Sequence, residues 1–185
     1  MKNKLPQDYT DEEIREQIKN FYTNLSKEKE FPRERIQVLV IDDEVKSLAA
    51  FQSLLRREFN IFTADTALKG KKILETTNIH VLISDQRMPE MTGIAFFQSI
   101  LKVHPDPIRI LYTGYSDISA VIDAINKGDV YRYISKPFVK DEMKMLIENA
   151  YEMYYLRKQT EKLTRDLAIT NRQLEFMVRA KLLDV

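Results

Sequence analysis

Five side chains in this sequence could together move a phosphoryl group: Asp42, Asp43, Asp85, Thr113 and Lys136. Each follows a short apolar run. Asp42 and Asp43 end Val-Leu-Val-Ile, and Asp85 ends Ile-His-Val-Leu-Ile-Ser. Thr113 closes Ile-Arg-Ile-Leu-Tyr, and Lys136 comes after Tyr-Arg-Tyr-Ile-Ser. Carboxylates crowded together repel one another unless a cation sits among them. Magnesium suits that need, because it is hard, prefers oxygen and commonly takes one or two carboxylates beside water and phosphate oxygens. With the metal in place, one carboxylate can attack a phosphoryl donor. Lys136 and Thr113 would then hold the remaining oxygens, one as a charge and one as a hydrogen-bond donor.

The elements that bring these residues together follow from patterning. Short apolar runs rich in β-branched residues predict strands at 36–41, 60–63, 79–84, 108–112 and 130–134. Helical spacing predicts helices at 45–58, 66–76, 94–103 and 118–127, and a last one from Asp141 that meets no proline or glycine before the end. Five strands alternating with helices imply an α/β fold, a parallel sheet covered on both faces and joined by right-handed crossovers. Ligands of such sheets collect at the carboxyl ends of the strands, which is where all five side chains fall. Pro89 and Gly93 hold the loop after Asp85 short and constrained.

Taken singly, each residue has an ordinary reading. Asp42 and Asp43 could cap the next helix, Asp85 could be a turn residue, Thr113 a strand-end hydroxyl, and Lys136 a solvated lysine. Their coincidence on one edge of one sheet favours the acidic site.

That set resembles the receiver domain of two-component response regulators over residues 36–150. The likeness is carried by Val-Leu-Val-Ile-Asp-Asp-Glu at 38–44, Ser-Asp-Gln-Arg-Met-Pro-Glu-Met-Thr-Gly at 84–93, Leu-Tyr-Thr-Gly at 111–114 and Tyr-Ile-Ser-Lys-Pro-Phe at 133–138. It implies a doubly wound, flavodoxin-like sheet in the order 2-1-3-4-5. It also implies that Asp85 accepts a phosphoryl group from a sensor histidine kinase or phosphotransfer protein. Magnesium would be held by Asp43, Asp85 and the backbone carbonyl of Arg87, with Asp42 acting largely through a bound water. Thr113 and Tyr133 would form the switch pair, Lys136 would pair with the acids, and the Lys136-Pro137 peptide would be cis. Gly114 stands where a small alanine is more usual in such domains. Two other functions fit the residues less well: a magnesium-dependent aspartyl phosphatase, and a scaffold that only dimerises. The phosphatases place their nucleophile after the first strand with another aspartate two residues on, whereas Asp42 and Asp43 are adjacent.

The tails lie outside the resemblance. In 1–35, Thr10 and Glu13 resemble a capping box ahead of Ile14, Ile18, Phe21, Tyr22 and Leu25 at helical spacing. This predicts an amphipathic helix serving as a flap on the domain or as a docking element. In 151–185, Leu156, Thr160, Leu163, Leu167, Thr170, Leu174 and Met177 repeat at three-four spacing, which predicts a coiled-coil seam and a parallel homodimer through the C-terminal helix.

The 185 residues carry a net charge of +1, contain no cysteine, and show neither a signal peptide nor an apolar run of bilayer length. These features point to a cytoplasmic protein with no disulfide and no membrane span, and away from direct nucleic-acid binding. An output domain beyond Val185 is compatible with the pattern.

Overall fold

The computed structural model describes residues 35–114 and 130–183, with the side chains of 174 and 176–183 left aside. The N-terminal helix expected within 1–35 and the helix expected over 118–127 lie outside the described residues.

Five parallel strands form one sheet: β1 (Gln37–Ile41), β2 (Asn60–Ala64), β3 (Val81–Asp85), β4 (Ile108–Thr113) and β5 (Arg132–Ser135), in the order β2-β1-β3-β4-β5. The described helices are α1 (Val45–Leu55), α2 (Ala67–Thr76), α3 (Gly93–Ile100) and α4 (Lys140–Leu183). The expected fold class and strand order are therefore observed.

Alternation along the strands sorts the core into two layers. Val38 and Val40 of β1 pack with Phe51, Leu55, Met143 and Ile147 from α1 and α4. Leu39 and Ile41 turn the other way and pack with Leu74, Phe96 and Phe97 from α2 and α3. Since both faces are covered, β1, β3 and β4 show no regular polar-apolar alternation, and their runs read as largely apolar, with Arg109 of β4 the buried exception.

Element ends differ from the sequence expectation by one to three residues. Helix α1 stops at Leu55 rather than 58, because the Glu58 and Phe59 amides both turn back to the Leu55 carbonyl at 3.0 Å. In the same way α3 stops at Ile100, whose carbonyl accepts from Val103 and His104 at 3.0 and 2.7 Å. Strand β5 begins at Arg132, not 130, and Val130 is spent on the α2/α3 core layer. Thr66 and Thr92 cap α2 and α3, accepting from the Lys69 and Ala95 amides at 3.3 and 3.1 Å.

The C-terminal helix is a single element of 44 residues, roughly 66 Å long at ~1.5 Å per residue. Its first turns belong to the domain. Tyr151 and Tyr154 are buried against the imidazole of His80, with ring centroids 5.1 and 4.9 Å away. Lys158 pairs with Asp106 at 2.6 Å, and Arg157 donates to the Pro105 carbonyl at 3.4 Å. Beyond that anchorage the described side chains are exposed, Leu163 and Leu167 among them at 65% and 62%. The helix does not fold back on the domain.

Candidate phosphoryl-acceptor site

Parallel register delivers the acids and the lysine to one place. Asp85 is the last residue of β3 and pairs with Tyr112, while Asp42 follows Ile41, the last residue of β1, which pairs with Ser84. One carboxylate oxygen from each of Asp42, Asp43 and Asp85 lies within 4.8 Å of the others. Lys136 closes the set: its Nζ is 3.0 Å from Asp42 Oδ2 and 2.9 Å from Asp85 Oδ2. The Lys136-Pro137 peptide is cis.

The three carboxylates are not equivalent. Asp42 is fully buried, and both its oxygens are engaged: Oδ1 accepts from the Glu44 amide at 2.8 Å, and Oδ2 accepts from Ser47 Oγ at 2.7 Å and from Lys136. Asp43 is exposed. Asp85 is buried to 6% exposure. That burial pushes its carboxyl above the ordinary value, against the pull of the Lys136 ammonium and a backbone hydrogen bond at Arg87. Burial acts to lower the Lys136 ammonium, but its hydrogen bonds to Asp85 and Asp42 outweigh it and leave the group above its ordinary value. The ammonium also lies 4.8 Å from the centre of the Tyr112 ring, which packs edge-on against Phe51 and Phe138.

Two residues that sequence reasoning passed over, Ser47 and Gln86, hold this geometry together with Gly93, which it had marked. Ser47, in the first turn of α1, holds Asp42 by donating to its Oδ2. Gln86 is buried and staples the loop after β3: its amide donates to the Tyr112 carbonyl at 3.1 Å, and its carbonyl and side-chain oxygen accept from Gly93 and Ile94 at 3.2 and 3.3 Å. Gly93 lets α3 begin against the strand, since a Cβ there would run into the Asp85 carbonyl oxygen and crowd the Leu111 side chain. No periodic pattern marks a serine or a glutamine for such work; the glycine beside a capping threonine was the one visible signal.

The expected switch pair lies on adjacent strands, β4 and β5. Thr113 is buried at the end of β4, with Oγ1 3.2 Å from the Gly114 carbonyl oxygen. Tyr133 is 43% exposed on β5 and pairs with Leu111, so it shares a sheet face with Thr113. Among the described residues, a Cβ at Gly114 would meet nothing within 4 Å. Arg87 lies exposed on the loop that leaves Asp85.

The donor set fits a hard divalent cation. Three carboxylates face one ammonium, all the offered atoms are oxygens, and the exposed Asp43 leaves the cluster open to solvent on one side. Lys136 is the cation set against the two buried acids, and its charge offsets the cost of theirs. Lys136→Ala is therefore expected to destabilise the metal-free protein by about 2–3 kcal/mol near neutral pH. The figure falls at or below the ~3–5 kcal/mol typical of a fully buried pair because the lysine side chain is 27% exposed. The sign with pH is defined: a carboxyl such as Asp85 raised above its ordinary 3.8 is tolerated below that value and costs stability as pH rises. Urea denaturation of the variant at two pH values checks this; equal stability of variant and parent near neutrality would contradict it.

The chain is matched over residues 38–148 by the response regulator receiver domain family. Among curated proteins it is 33% identical over 144 residues to the hydrogenase transcriptional regulatory protein HoxA of Bradyrhizobium diazoefficiens, which covers 78% of this chain and 30% of that protein. It is 34% identical to the C4-dicarboxylate transport transcriptional regulatory protein DctD of Rhizobium meliloti, over 69% of this chain and 28% of that one. The chain thus spans under a third of the length of these relatives. Among solved structures, a response regulator receiver domain protein from Clostridium thermocellum superposes with a TM-score of 0.61 at 31% identity, covering 65% of this chain and 98% of that one. The beryllofluoride-activated NtrC4 receiver domain dimer gives a TM-score of 0.59 at 30% identity, covering 64% and 98%.

Proposed function

Because the chain belongs to the response regulator receiver domain family across residues 38–148, we propose that it is a phosphorylation-controlled switch whose acceptor is Asp85. The observation that carries this reading is the Lys136 ammonium bridging two buried carboxylates at the carboxyl edge of the sheet, with Asp43 open beside them. The donor is a sensor histidine kinase or phosphotransfer protein.

In the transfer, a carboxylate oxygen of Asp85 forms the new P–O bond while the donor's P–N bond breaks, and the leaving imidazole keeps the electron pair and is protonated from solvent. Asp43, Asp85 and the Arg87 carbonyl are assigned to Mg2+, which when bound neutralises charge on the phosphoryl oxygens. Asp42 contributes through water, consistent with both its oxygens already being occupied within the chain. Lys136 turns from bridging two carboxylates to holding a phosphoryl oxygen. Thr113 donates to another, and Tyr133 moves inward into the space that the threonine vacates. The chain is an acceptor in this scheme rather than a turnover enzyme.

Two measurements test the division of labour. In a magnesium titration, Asp43→Ala is expected to weaken binding more than Asp42→Ala, because a direct ligand is lost rather than a water-mediated one. Equal losses would count against that assignment. Thr113→Ala is expected to take up phosphoryl groups yet respond poorly, losing a coupling on the order of 1–3 kcal/mol. Hydrogen exchange over residues 118–134 reports it; a response equal to that of the parent would remove Thr113 from the switch.

The output is carried by α4. An exposed leucine seam on a helix that runs on past its own domain is best covered by a second copy, and a parallel pair keeps both receivers at one end. The two named relatives are transcriptional regulators much longer than the matched segment, which supports a transcriptional output acting with this receiver.

A further inference from the structure

The seam of α4 is palindromic. Met153, Leu156, Thr160, Leu163, Leu167 and Thr170 are all exposed, and the sequence continues the spacing with Leu174 and Met177. Outward from the middle, the order is Leu, Thr, Leu, Met in both directions. In a parallel pair each of these positions meets itself. In an antiparallel pair centred between Leu163 and Leu167, Leu163 meets Leu167, Thr160 meets Thr170, Leu156 meets Leu174 and Met153 meets Met177, so the layers match equally well. The threonine hydroxyls do not break the tie. Thr160 Oγ1 donates to the Leu156 carbonyl and Thr170 Oγ1 to the Asp166 carbonyl, each at 2.9 Å, so both are satisfied within their own helix.

Direction is therefore left to the flanking positions. In heptad terms Met153, Thr160 and Leu167 are a positions, and Leu156, Leu163 and Thr170 are d positions. Glu152, Gln159 and Asp166 then fall at g, and Arg157, Thr164 and Asn171 at e. Parallel pairing sets each g residue against the e residue five places on in the other helix, which brings Glu152 to Arg157 of the second copy, twice per pair. Antiparallel pairing sets g against g, and near the centre it brings Asp166 to Asp166 of the second copy. Glu152 and Asp166 are exposed, and among the described residues neither makes an ion pair within the chain. Arg157 spends one contact on the Pro105 carbonyl, which steadies the guanidinium at the domain edge and leaves further donors.

We infer that the direction in which α4 pairs is set by charge: the Glu152–Arg157 cross-pairs favour the parallel arrangement, and the repulsion Asp166 would meet disfavours the antiparallel one. The inference rests on the coiled-coil reading of α4 given above.

The chain has no cysteine, so introduced thiols are the only ones present. Leu156→Cys and Leu174→Cys, made separately in the full chain, are oxidised alone and as a mixture. The two positions are about 27 Å apart along one helix, too far for a parallel pair to link them to each other. The expected result is self-linked Leu156→Cys in clear excess over a minor mixed species. Mixed species dominating, with each variant unlinked alone, would overturn the direction and leave the dimer standing. No link in any combination, with a monomer mass by light scattering, would overturn the coiled coil and the inference together. Adding Glu152→Lys and Asp166→Asn is expected to lower the ratio of self-linked to mixed product roughly fivefold. An unchanged ratio would show that these charges do not set the direction.

Discussion

Replacing Leu163 and Leu167 with glutamate is expected to turn a dimer into monomers. The two leucines are 65% and 62% exposed in the single chain, so most of their surface is available to a second helix. Each leucine transferred fully from water contributes about 1.5–3 kcal/mol, and a dimer would bury four of them. Even the low end, about 6 kcal/mol, corresponds to a dissociation constant raised by about 10^4. The glutamates add like charges facing each other across the seam. The receiver should be untouched, because its anchorage to the helix ends at Tyr151, Tyr154 and the Lys158–Asp106 pair. Light scattering reads the mass, and an unaltered magnesium titration shows that the domain has survived. A dimer persisting in this variant would move the interface off the seam.

The parts of the molecule legible in the sequence are those in which several residues carry one signal. The apolar runs ending at Ile41, Ser84 and Tyr112 gave the central strands because both sheet faces are buried, and their ends located Asp42, Asp85 and Thr113. The uninterrupted stretch after Asp141 gave a helix that begins one residue earlier, at Lys140. Boundaries drifted where an apolar residue serves the core without joining a ladder. Ile79 and Val130 are both buried just outside their strands. Single contacts over long sequence separation left no pattern at all. Gln37 lies 43 residues from His80, whose Nδ1 accepts its amide at 3.1 Å, whereas Lys136, 94 residues from Asp42, was legible only because it follows a fifth strand. The Gln37–His80 bond is part of what seats the C-terminal helix: His80 sat unremarked inside a strand-like run, and its burial between Tyr151 and Tyr154 follows from packing of the helix rather than from local spacing.

Asp85→Asn is expected to abolish phosphoryl uptake altogether. The amide keeps the volume and the strand end but has lost the anionic oxygen that forms the P–O bond, and neither neighbouring acid can replace it. Asp42 is fully buried with both oxygens engaged. Asp43 is exposed and is assigned to the metal. The lysine remains free to pair with Asp42, so the variant should fold. Intact-mass analysis after incubation with a small acyl-phosphate donor and magnesium decides whether Asp85 is the acceptor. The expected result is one labile phosphoryl group on the parent chain and none on Asp85→Asn; the same mass gained by both would place the acceptor elsewhere.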